Sequence, residues 1–180
     1  LQHAGKSWPH GPRQLVRSLP WLRLCAIAGQ GLTIAFVTWV LDLPIPVGSL
    51  CAGIAMLAVF SVLAFWRLRQ RTRIAAWEPV AHIAVDTLVL GYLLYLTGGA
   101  SNPFISLLVM PITLAATALP LRSVSIVAVL SVGTYFFHMH HSQALPQVSG
   151  EGASGLFNLH LTGMAISFAI TAGMLGFFIA

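Results

Sequence analysis

Apolar residues in this chain run in long blocks separated by short polar breaks. The blocks lie at about Trp21–Val40, Val47–Phe65, Pro79–Thr97, Pro103–Leu119 and Ser123–Phe137, with a last one from about Leu156 onward. A helix needs roughly 20 apolar residues to cross a bilayer, so the pattern predicts an all-α membrane protein, a six-transmembrane-helix bundle with short loops. The breaks use residues that end helices or stay in water. Asp42, Pro44 and Pro46 follow the first block, Arg67–Arg73 the second, Gly98–Phe104 the third, Pro120-Leu121-Arg122 the fourth and His138–Gly155 the fifth. Span five is the shortest, and Pro111 is expected to kink span four. Trp21 and Trp39 are about 27 Å apart at helical rise, which places an indole near each interface.

Composition supports the pattern. The 180 residues are 57% hydrophobic and 7% charged, against about 25% charged in a soluble domain. The net charge of +5 would suit nucleic acid as a partner, but the distribution of the cations points elsewhere. Lys6, Arg13, Arg17 and Arg23 stand at the start, Arg67, Arg69, Arg71 and Arg73 between spans two and three, and Arg122 between spans four and five. If the spans alternate, all nine lie on one side, where they meet lipid headgroups rather than nucleic acid. By the positive-inside rule that side is cytoplasmic. The N-terminus is then inside, and the Gly98–Phe104 turn and the 138–155 loop face the periplasm across a bacterial inner membrane. Residues 1–20 read as a basic juxtamembrane segment with a short amphipathic turn near Arg13–Leu19, and residues 21–180 as the membrane domain. The chain begins at Leu1 and reaches Ala180 inside an apolar run, so a piece of a longer protein is expected. Cys25 and Cys51 fall inside apolar runs and read as buried small hydrophobes.

The break between spans three and four carries the most chemistry. In Gly98-Gly99-Ala100-Ser101-Asn102-Pro103-Phe104, either glycine can take a positive φ, Asn102 can cap the next helix, and Pro103 suits its first turn. One reading is a tight helical hairpin and no more. The other is a pocket for a flat, lipid-soluble ring. The glycines leave the backbone open to close approach, the helix start and the Asn102 amide offer donors to a carbonyl, and Phe104 offers a face for stacking. Tyr95, one turn before Gly99, is a weaker candidate for the same site.

The heptapeptide resembles the GGxxNPF motif of the RegB/PrrB-type redox-sensing histidine kinases. Leu93-Leu94-Tyr95-Leu96-Thr97 and Arg23-Leu24-Cys25-Ala26-Ile27-Ala28-Gly29-Gln30 look like the family's flanking runs, and the likeness covers essentially the whole chain. The resemblance implies a homodimeric sensor domain that binds ubiquinone or ubiquinol through Gly98, Gly99, Asn102, Pro103 and Phe104. It further implies that the redox state of the quinone pool reaches a cytoplasmic kinase core, and a response regulator through it. The phosphoacceptor histidine, ATP-binding domain and redox cysteine of that family would follow span six, so these residues are expected to bind quinone and to phosphorylate nothing.

Other polar residues leave alternatives open. Asp86 and His82 share a face of span three, about 18 Å along the helix from Gly98. They read as an interhelical contact or as a proton-carrying pair. Gln30 reads as glue between helices or as a residue near the pocket. A transporter or channel would need Asp86, His82 and Gln30. A metal sensor would use His138, His140 and His141 at the start of the long outer loop, although no acid or cysteine completes a ligand set and no metal is expected.

Overall fold

The computed structural model describes residues 12–40, 45–69, 75, 77–141, 160, 162–167, 169–171 and 173. All regular structure among them is helical: α1 (Pro12–Trp39), α2 (Val47–Arg69), α3 (Glu78–Leu96), α4 (Val109–Ala118), α5 (Leu121–His140) and α6 (Thr162–Thr171). Short 3₁₀ segments at Gly99–Ser101 and Pro103–Leu108 join α3 to α4. Four stretches have the length and apolarity to span a membrane, namely Leu19–Trp39, Val47–Arg67, Glu78–Leu96 and Leu121–His140. The other two apolar helical stretches, Pro103–Ala118 and Thr162–Thr171, are shorter.

Span four keeps its reach by changing helix type. Six residues at about 2.0 Å of rise and ten at about 1.5 Å give about 27 Å, as long as 18 residues of α-helix. The expected kink at Pro111 is replaced by this earlier change. The Val109 N–H is shared between the Leu107 and Ser106 carbonyls, and Pro111 then falls in the first turn of α4, where no N–H is required.

Three other expectations are corrected. Helix α1 starts at Pro12 and runs through residue 20, so the membrane helix has no boundary there. Pro20 withholds one internal bond but is buried in the packing. The segment before it, residues 1–11, lies outside the described residues, as do 70–74 of the basic loop and 142–159 of the outer one. Span five is 20 residues rather than a short one, because Leu121 opens it and His138 and His140 remain in its last turn. Cys25 and Cys51 are exposed on the outside of the bundle rather than buried.

Helix α3 is central, packing against α1, α2, α4 and α5. Near its Glu78 end, Ile83 joins Leu19, Ala115, Ala118, Leu119 and Val127 in one apolar cluster. Toward its Leu96 end, Val89, Leu93 and Leu96 join Leu50 and Leu57, with Ile34, Ile54 and Tyr95 packed against them. Much of the outer surface is apolar, with Trp39 84% and Val129 73% exposed, the reverse of a soluble bundle and suited to lipid.

The approach of α5 to α3 depends on Gly91. A Cβ there would stand 2.8 Å from the Thr134 methyl, so that either the Thr134 side chain or a helix must shift. Gly91→Ala is therefore expected to cost about 1–3 kcal/mol, measured as a lowered unfolding midpoint in SDS. Adding Thr134→Ser removes the clashing methyl and should return most of the loss.

Candidate functional site

The turn after α3 is built by its own residues. Thr97 ends α3, its hydroxyl donating to the Leu93 carbonyl. Gly98 and Gly99 then take φ of 105° and 55°, a left-handed conformation that side chains with a Cβ rarely adopt. This reversal lets Ser101 and Asn102 N–H donate to the Gly98 and Gly99 carbonyls. Asn102 Oδ1 accepts from the Phe104 N–H at 2.8 Å, which is the cap expected from the sequence. Its Nδ2 donates to the Thr97 carbonyl at 2.8 Å and to the Thr97 hydroxyl at 2.7 Å.

That last pair changes the chemistry of the site. Both amide hydrogens of Asn102 are used inside the turn and the residue is buried, so Asn102 shapes the site rather than presenting a donor to a ligand. The Ile105 N–H is likewise taken, by the Asn102 carbonyl. The N–H groups of Gly98, Gly99 and Ala100 precede the first 3₁₀ bond and have no backbone acceptor among the described residues. Phe104 and Pro103 are half-buried, Ser101 is exposed, and Gly98 and Gly99 are buried. Tyr95 lies beside the turn, its ring 6.2 Å from Phe137 and 6.5 Å from His138. The described cleft of about 260 Å³ is elsewhere, between α1 and α2, lined by Gly31, Ile34, Cys51, Ile54 and Ala55.

Of the two sequence readings for Asp86, the structure shows the interhelical contact, with a partner the sequence did not name. Asp86 binds Arg23 of α1 rather than His82. Arg23 donates through Nε and Nη2, the latter at 2.9 Å, and its guanidinium lies 4.6 Å from the centre of the Phe60 ring. His82 also packs against that ring, 5.1 Å between centroids. This cluster ties α1, α2 and α3 together. Arg23 was counted in the sequence only as an interface cation. One cation inside span one and one acid inside span three were the signal that they meet. A second pair, Arg67 Nη2 to Glu78 Oε1 at 3.0 Å, joins the end of α2 to the start of α3.

The histidine trio is not brought together. His138 belongs to α5 and is buried, with Nε2 2.8 Å from the Gly91 carbonyl and Nδ1 against that of Thr134. His140 and His141 are exposed, and His141 stacks on Phe137. A buried ring with both nitrogens facing carbonyls is an interhelical clamp, closed to a metal shared with its neighbours.

Helical throughout its described residues, with membrane-length apolar helices, a buried polar cluster and a structured turn between spans three and four, the chain is a multi-pass membrane domain. Comparison with known proteins gives its family. A model of the PilS-like six-transmembrane domain matches residues 42–178, and the chain belongs to that family. It is 30% identical over 143 residues to the sensor histidine kinase RegB of Cereibacter sphaeroides, covering 77% of this chain. The match takes in 30% of RegB, so the chain corresponds to under a third of that relative. No solved structure matches. The chain is thus a PilS-like transmembrane domain, similar over most of its length to part of a sensor histidine kinase.

Proposed function

We propose that this domain binds ubiquinone or ubiquinol at the Gly98–Phe104 turn, on the periplasmic side of the inner membrane. As a homodimer it passes the redox state of the quinone pool to a cytoplasmic kinase core. The observation that carries the reading is the geometry of Gly98 and Gly99. Two consecutive left-handed glycines, held by Asn102, leave neighbouring N–H groups without a backbone acceptor among the described residues, beside the half-buried Phe104. A quinone ring carbonyl takes such donors, and its isoprenoid tail stays in lipid. The two redox forms must favour different conformations for a signal to pass, since equal affinity for both would shift nothing.

The test is binding of decyl-ubiquinone to the purified domain in lipid nanodiscs. Phe104→Ala and Gly99→Ala should each weaken binding about tenfold, equivalent to about 1.4 kcal/mol, with helical content unchanged. Equal affinity in the parent and both variants would remove the site from the turn.

A further inference from the structure

The 3₁₀ segment Pro103–Leu108 has a second neighbour besides the turn. Helix α6 packs against it at two points. A Cβ on Gly163 would stand 2.8 Å from Pro103 Cγ, so the helix backbone lies directly on the proline ring. One α-turn later, the Ser167 hydroxyl, 0% exposed, shares a hydrogen bond of 2.6 Å with the Ser106 hydroxyl.

The spacing of the two contacts is informative. Four residues of α-helix from Gly163 to Ser167 rise about 6.0 Å. Three residues of 3₁₀ helix from Pro103 to Ser106 also rise about 6.0 Å, and at three residues per turn they share one face. The two chains run in the same direction, so both contacts are met at once. Were the segment α-helical, Ser106 would stand about 4.5 Å from Pro103 along the axis and about 60° around it, and the second contact would be lost. Six residues is also long for a 3₁₀ run, which seldom exceeds three or four.

We propose that Ser106, Gly163 and Ser167 form the contact through which the turn sets the position of the last span. While Pro103–Leu108 is 3₁₀, α6 is held in register on it. Conversion of the segment toward α-helix releases Ser167 and frees α6 to shift. The part of this proposal in which a bound quinone drives the conversion rests on the ligand reading above; the register contact itself does not. These are positioning residues, since none needs to touch the ligand.

The test uses the whole chain in nanodiscs with Cys25→Ser, Cys51→Ser and Ile166→Cys, and a trifluoromethyl label on the new thiol at an exposed site of α6. Fluorine NMR then reads the populations of α6 environments. Without ligand, Ser106→Ala and Ser167→Ala should each move the population ratio by about fivefold or more. Ser106→Thr, which keeps the hydroxyl at an exposed position, should match the parent. Unchanged spectra in both alanine variants would overturn the proposal. With decyl-ubiquinone added in its oxidised and then reduced form, the parent ratio should change between forms, while Ser167→Ala binds the analogue within about twofold of the parent and its ratio does not follow. Spectra of Ser167→Ala that follow the redox form as the parent's do would also overturn it. An analogue that fails to bind the parent, beside altered spectra in the ligand-free alanine variants, would sink the ligand reading and leave the coupling contact standing.

Discussion

Asp86→Leu should destabilise the folded domain by about 3–5 kcal/mol, as removing one partner of a buried ion pair does. The loss comes less from the missing attraction than from what remains. The Arg23 side chain is 1% exposed, so a guanidinium without its carboxylate has no solvent to turn to. Arg23→Met should cost less, because the Asp86 side chain is 29% exposed and can take up a proton or a water when left alone. The double variant, apolar at both sites, should recover most of the loss, since similar volume then fills the space without a buried charge. Unfolding of each variant in SDS, followed by circular dichroism, gives the order. Equal losses for the two single variants, or a double variant no better than Asp86→Leu, would mean that the pair does not carry the contact between α1 and α3.

Asn102→Ala should cost about 2–4 kcal/mol, counting about 1 kcal/mol for each of three hydrogen bonds and more for partners left buried. The Phe104 N–H loses its cap, and the Thr97 carbonyl and hydroxyl lose the two donors that close the turn. Quinone binding should fall with the turn rather than through a lost ligand contact. Asn102→Asp separates the two functions. It keeps the acceptor for Phe104 and loses the donors to Thr97, so it should fall between the parent and alanine in stability and in decyl-ubiquinone affinity. An Asn102→Ala protein with the parent's unfolding midpoint and a lowered affinity would instead return Asn102 to direct contact with the ligand.

The turn shows how far sequence reasoning reaches. Gly98, Asn102 and Pro103 each have a local backbone preference, and the structure places each in the role that preference assigns. Thr97 was passed over because its part depends on where the Asn102 amide points once the chain has reversed, and that direction is not a local property. The 3₁₀ helix after Pro103 escaped notice for a similar reason. The sequence Pro-Phe-Ile-Ser-Leu-Leu is compatible with either helix type, and packing against Gly163 and Ser167 accompanies the tighter one. The sequence puts His138 with His140 and His141 at the start of the outer loop, whereas it lies in the last turn of α5. Its actual position follows from Gly91, whose lack of a side chain lets α5 come close enough for the ring to reach a carbonyl of α3.

From the sequence alone came the membrane class, the order of the spans and the turn that resembles a quinone motif. All three rest on local quantities: apolar run length, the placement of cations, and the backbone preferences of glycine, asparagine and proline. Only the tertiary structure decided that Asp86 answers to Arg23, that Asn102 closes the turn instead of facing outward, and that α6 is keyed to Pro103 and Ser106. Those contacts join residues on different helices, and their partners are fixed by how the helices pack, which run length and local preference do not encode.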